Sequence, residues 1–196
     1  MIPASIRAQA ELELRNRRKI IAPAMTFRAF VDTVNPRYQW YKHCQILADV
    51  LQRVADGELR RVMVFMPPRH GKSELVSRLF SAYYLYRHPD RFVGVNSYAA
   101  DLAYTFSRSA RDNYLRSGKR LRDDAAAVKH WMTDQDGGLW AAGVGGPITG
   151  KGFHLGIIDD PLKNAEEAQS ETIRAKQKEW YESTFYTREE AGNDTA

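Results

Sequence analysis

Two short stretches carry the residue types that handle phosphate. Phe65 to Val76 reads FMPPRHGKSELV, and Leu155 to Asp160 reads LGIIDD. In the first, Gly71-Lys72-Ser73 follows an apolar run, Val62-Met63-Val64-Phe65, and opens a helical pattern. Backbone N–H groups at a helix N-terminus favour anions. A lysine at this spacing reaches β- and γ-phosphates, and a serine hydroxyl ligates Mg2+. Gly71 lets the backbone approach closely. The stretch departs from the pattern G-x-x-x-x-G-K-[ST] at its first position, where Met66 stands. Pro67 and Pro68 fix φ and stiffen the loop.

The second stretch is an apolar strand that ends in two carboxylates. Asp159 is placed to hold Mg2+, mostly through water. Asp160 is placed to orient or deprotonate an attacking water. The plain alternative is a strand ending in an Asp-Asp-Pro turn, where aspartate is common. Arg69 either stabilises charge at a γ-phosphate or pairs with a nearby acid. His70 shapes the loop. Gln45 is either an adenine-reading amide or a surface residue. The loop from Gly145 to Gly152 either presents Lys151 to a neighbouring subunit's phosphates or only connects. Ser97-Tyr98, Arg108 and Arg111 either face DNA or a neighbour, or are solvated.

These residues need a scaffold. Ser5–Ile20 reads as a surface helix and Thr26–Val31 as a short one. Trp40–Ala55 sets Trp40, Cys44, Leu47, Val50, Leu51 and Val54 on one helical face, and Asp56-Gly57 stops it. Leu59–Met66 reads as a strand buried on both faces. A helix follows over Lys72–Arg87, then a strand at Phe92–Ser97 and a helix over Ala99–Leu115. Leu121–Lys129 is too polar to assign. Short strands fit Trp131-Met132 and Leu139–Gly143, with Asp136-Gly137 as a hairpin turn. His154–Asp159 is the last strand, Ala165–Tyr186 a long polar helix, and the tail from Glu189 disordered. This order gives an α/β fold with a mostly parallel sheet flanked by helices.

Composition narrows the class. With 43% hydrophobic and 27% charged residues in 196, the chain suits one soluble domain with a sizeable core. The net charge of +5 is compatible with nucleic acid without demanding it. The single Cys44 excludes an internal disulfide and a cysteine-rich metal site. The charged start lacks the apolar segment of a signal peptide, and no stretch reaches the length of a membrane span, so a cytosolic setting is expected.

The lines GELRRVMVFMPPRHGKSELVSRLF, VGVNSYAADLAYTFSR, GGPITGKGFHLGIIDDPLKNAEEAQS and WYESTFYTR together resemble the large terminase subunits of tailed bacteriophages. The resemblance spans Trp40 to Arg188. It implies a RecA-like (ASCE) P-loop ATPase at residues 39–188, behind an N-terminal helical extension at 1–38 and before a tail at 189–196. It implies ATP and Mg2+ as cofactors. By match, Pro68, Arg69, His70, Gly71, Lys72, Ser73 and Glu74 take the nucleotide loop, and Gln45 the adenine position. Ser73 and Asp159 take the metal, and Asp160 takes the place of a catalytic acid that is Glu in many members. Arg69 and Lys72 join Asp160 in catalysis. Lys151 falls where relatives can carry a trans-acting arginine. The implied partners are double-stranded DNA, a portal protein, a small terminase subunit and further copies in a ring on the portal, in the cytoplasm of an infected bacterium, with no membrane. In the family a strand with a coupling motif and then a nuclease domain follow WYESTFYTR, so this chain is expected to be an N-terminal fragment. The alternatives are a non-catalytic remnant and a small-molecule kinase, which would need an arginine-bearing lid.

Overall fold

The computed structural model describes residues 25–148 and 150–190. Helix α1 (Phe27–Val34) buries Phe27, Phe30, Val31 and Val34, a three-and-four spacing that lays one apolar stripe against the core. Thr26 caps it, its hydroxyl accepting from the Ala29 N–H at 3.3 Å. Helix α2 (Lys42–Ala55) turns Cys44, Leu47, Ala48, Leu51 and Val54 inward and stops at Asp56-Gly57, where Gly57 takes φ +78°. Rings from α1 then meet the next helix: Phe27 lies 5.5 Å from Phe80 and 5.2 Å from Tyr83, centroid to centroid.

That next helix begins with wide π turns at Glu74–Phe80 and continues as α3 (Ser81–Arg87). After it come β1 (Phe92–Ser97), α4 (Ala100–Arg116), β2 (Leu121–Ala127), β3 (His130–Thr133), β4 (Gly138–Gly143) and β5 (Leu155–Asp159). The helix expected over Ala165–Tyr186 is broken. It forms α5 (Ala165–Gln169) and α6 (Glu171–Trp180), then a π turn at Tyr181–Phe185 and a 3-10 turn at Tyr186–Arg188. Ser170 makes the break, since its side chain caps α6 by accepting from Ile173 N–H.

The five strands form one mixed sheet in the order β2-β3-β4-β1-β5. β1 pairs in parallel with β4 and β5, while β3 pairs antiparallel with β2 and β4. The sheet is therefore half antiparallel rather than mostly parallel, because β2, β3 and β4 form a meander around the Asp136 turn (φ 65°). Each sheet face is covered. Val93, Val95, Leu139, Ala141, Leu155 and Ile157 join the helical core. Trp140, Ala142, Phe153, Trp180 and Phe185 form a second cluster on the other face. Gly94 makes room for it: a Cβ there would lie 2.4 Å from Trp140 Cζ2.

The strand expected at Leu59–Met66 is absent. Residues 61–67 have no regular secondary structure and pair with no strand of the sheet, and Met63 and Phe65 are 85% and 88% exposed. An apolar run favours burial, but a strand needs a neighbour to share its hydrogen bonds. Here a groove separates the segment from β5. The tail also differs at its start. Glu189 pairs with Arg61 at 2.7 Å, and the Glu190 N–H donates to Phe153 O at 2.9 Å. The helix expected at Ser5–Ile20 and residues 191–196 lie outside the described residues.

Candidate functional site

The loop at residues 67–73 runs from the unpaired segment 61–66 into the first turn of the π helix. Two of its residues take left-handed backbone: Arg69 at φ 62° and Gly71 at φ 85°. Space is not what selects glycine at 71. A Cβ would sit 3.7 Å from Cys44 Sγ and from the Tyr38 hydroxyl, an ordinary contact, so the conformation itself makes the demand. His70 Nδ1 lies 2.9 Å from Pro68 O and tightens the turn. The start of α2 backs the loop: the Cys44 thiol faces His70 O at 3.9 Å. Burial, followed by contact with Cys44, pushes the Tyr38 phenol well above its ordinary pKa.

Across from the loop, β5 delivers Asp159 and Asp160. Asp159 is buried in register with Ser97 of β1, and Asp160 follows with left-handed backbone (φ 46°), its carboxylate exposed. Left-handed backbone is uncommon outside glycine, and here two such residues, Arg69 and Asp160, lie at one site. The Lys72 ammonium joins both acids. It forms a short ion pair with Asp160 Oδ1 and lies 3.6 Å from Asp159 Oδ1. Burial pulls the Lys72 pKa down, but the two carboxylates outweigh it and hold the group above its ordinary value.

The hydroxyl that meets Asp159 belongs to Ser77. Ser77 Oγ donates to Asp159 Oδ2 at 2.6 Å, and both groups are buried. Ser81, one turn on, donates to Ser77 O at 2.9 Å inside the same helix. The sequence carried a signal for this pair: two serines four residues apart interrupt an otherwise apolar helix face, Leu75, Leu79 and Phe80. Ser97 is a second residue that sequence reasoning left undecided. Its hydroxyl is buried without a hydrogen-bond partner, as is Asp159 Oδ1. That carboxylate oxygen, whose one neighbouring charge among the described residues is the Lys72 ammonium at 3.6 Å, fits a hard cation, which binds oxygen ligands. Among the described residues there is no cluster of three or more His, Cys, Asp or Glu side chains able to hold a metal.

The other predicted residues are distributed as follows. Arg69 is exposed and makes no ion pair among the described residues. Glu74 is held by Arg78 at 3.0 Å along the helix. Gln45 is on the first turns of α2, near the loop, with its amide nitrogen donating to Trp40 O at 3.0 Å. Lys151 is elsewhere, with its ammonium 5.9 Å from the Trp140 ring in a hollow shared with Lys129 and His130. Burial and Lys129 lower its pKa.

A cation on a helix's first turn, facing paired carboxylates at a strand end, suits phosphate chemistry. A family model described as terminase large subunit, T4likevirus-type, N-terminal, matches residues 63–194, well over half of the chain. The chain belongs to this family. The match runs from the segment before the loop through β5 to the residues beyond α6, so it takes in Lys72, Asp159 and Asp160 but not Gln45. No curated protein matches the chain. No helix among the described residues is long and apolar enough to cross a membrane.

Proposed function

We propose that this terminase chain binds and hydrolyses ATP, and that hydrolysis serves the packaging of double-stranded DNA. The observation that carries the reading is the Lys72 ammonium set between the strand-end carboxylates of Asp159 and Asp160. The loop's N–H groups and the first turn at Gly71–Ser73 receive the triphosphate. Lys72 leaves Asp160 for the β- and γ-oxygens, and Arg69, free of ion pairs among the described residues, turns to the γ-phosphate. Asp159 and the Ser73 hydroxyl would hold Mg2+, which when bound neutralises charge on the phosphate oxygens. Ser77 keeps Asp159 aimed at that position through its 2.6 Å hydrogen bond. Asp160, once released, orients the attacking water. Gln45, on the first turns of α2, would read the purine. As a terminase, the chain would do this work beside a portal, a small subunit and further copies of itself.

Calorimetric titration with Mg2+ and a non-hydrolysable ATP analogue tests the reading. Lys72→Ala removes charge-assisted contacts worth about 1.5–3 kcal/mol, so affinity drops roughly 10- to 150-fold. Asp160→Asn keeps binding and abolishes release of phosphate. Equal affinity in wild type and Lys72→Ala would refute the phosphate role of this loop.

A further inference from the structure

Ser97, the last residue of β1, is fully buried, and its hydroxyl has no hydrogen-bond partner among the described residues. Strand alternation fixes the side it takes. Val93 and Val95 join the helical core, so Ser97, two residues further on, faces the same way. On β5, Leu155 and Ile157 join that core, and Asp159 continues their row. The bond from Ser77 agrees, because Ser77 belongs to the helix whose Leu75, Leu79 and Phe80 pack on this face. β1 pairs in parallel on both sides, and Ser97 is level with Gly143 of β4 and with Asp159 of β5. Gly143 offers no side chain. The one side chain beside Ser97 at this level of the sheet is therefore the Asp159 carboxylate, on a strand about 4.8 Å away. These two neighbours each keep a buried oxygen without a hydrogen bond, Ser97 Oγ and Asp159 Oδ1.

A buried hydroxyl with no partner costs stability, and alanine would avoid the cost. Serine suits the position if its hydroxyl is used in another state. In the resting arrangement Asp159 has two partners: Oδ2 accepts from Ser77 at 2.6 Å, and Oδ1 faces the Lys72 ammonium at 3.6 Å. When Lys72 turns to a triphosphate, Oδ1 loses that charge. The Ser97 hydroxyl is a donor on the adjoining strand, and rotation about χ1 re-aims it. We propose that Ser97 is a positioning residue, whose hydroxyl donates to Asp159 Oδ1 when Lys72 withdraws. Ser77 then holds one carboxylate oxygen and Ser97 the other, and the plane of the carboxylate is fixed. Each oxygen keeps accepting capacity for a cation or its water. This role rests on the proposed function, in which Lys72 moves to phosphate and Asp159 holds Mg2+.

A thermal cycle without nucleotide tests the contact. It uses Lys72→Met, which removes the charge beside Oδ1 but keeps a stem over it. In wild type, Ser97→Ala leaves Tm unchanged or raises it, since an unpaired hydroxyl is lost. In the Lys72→Met background the same substitution lowers Tm by about 3–10 °C. Ser97→Cys fills the same space with a weak donor and follows Ser97→Ala in that background. Calorimetric titration with a non-hydrolysable ATP analogue reads the metal side. Ser97→Ala weakens binding in Mn2+ by roughly 10- to 100-fold and leaves binding in EDTA at the wild-type level. Equal Tm changes in the two backgrounds, a cysteine variant that matches the serine, or an affinity loss of one size with and without metal overturns the role of Ser97. Equal analogue affinity in wild type and Lys72→Ala refutes the proposed function instead, and the thermal cycle, which uses no nucleotide, judges the Ser97 contact separately.

Discussion

Replacing Ser77 by alanine isolates the contact that aims Asp159. The serine is fully buried and the aspartate is 5% exposed, so water cannot take over the lost hydrogen bond. The bond is short, at 2.6 Å, and its acceptor is a carboxylate. Hydrogen bonds to charged groups contribute about 1.5–3 kcal/mol, and the upper half of that range applies when the partner stays buried and unpaired. Asp159 has little in reserve: Oδ1 has no hydrogen-bond partner, and the nearest cation is Lys72 at 3.6 Å. Ser77→Ala is therefore expected to cost about 2–3 kcal/mol, which for a chain of this size lowers Tm by about 5–10 °C. Urea unfolding followed by circular dichroism gives the check, with the midpoint falling and the slope unchanged. The same substitution in an Asp159→Ala background should cost less than about 0.5 kcal/mol, because the partner is gone. Equal losses in the two backgrounds, or a loss below about 0.5 kcal/mol in the first, would refute the claim that Ser77 supports a buried carboxylate.

Two further outcomes follow from packing and burial. Gly94→Ala drives a methyl to 2.4 Å from Trp140, whose indole N–H is fixed on Gly152 O at 2.9 Å, so the ring has to move. A loss of about 1–3 kcal/mol is expected in chemical denaturation, with altered tryptophan fluorescence; an unchanged midpoint would show that the second cluster is loosely packed. Burial, with Arg91 and Arg87 adding to it, holds the His88 pKa below its ordinary 6.5, and burial and Lys151 do the same for His130. The unfolded chain then binds more protons than the native one. Stability is full above about pH 6.5 and declines as pH falls through the lowered native values. Tm should drop between about pH 7.5 and about pH 5.5, and His88→Gln should flatten part of that slope. An identical slope in the variant would assign the dependence to other groups.

The legible parts of the fold were those whose signal is local. β1 and β5 are apolar runs between turn residues, and the observed strands, Phe92–Ser97 and Leu155–Asp159, match to within one residue. α4 and the hairpin at Asp136 were equally readable. β2 was not, because LRDDAAA is an edge strand that carries its charges in solvent, where Arg122 pairs with Asp124 and Asp136. The segment at Leu59–Met66 failed for the opposite reason. Its composition suits a strand, but pairing depends on what stands beside it, and composition does not report that. At the site, the sequence located Lys72, Asp159 and Asp160 by motif, and the structure brings them together. The Ser77 hydroxyl that meets Asp159 lies one turn beyond Ser73, outside the motif. The π turns over Glu74–Phe80 change the helix register there, and no local pattern announces them.

The ion pair between Lys72 and Asp160 has a consequence for timing. The Asp160 carboxylate holds the ammonium that a γ-phosphate would claim under the proposed function, so ligand and acid would compete for one cation. On the reading proposed above, a triphosphate that wins Lys72 sets Asp160 free in the same exchange. The water-directing group then becomes available only when there is a phosphate to attack. On that reading a diphosphate, lacking the γ-oxygens, would be the weaker competitor for Lys72. Product release and the return of Asp160 to Lys72 would then be a single event.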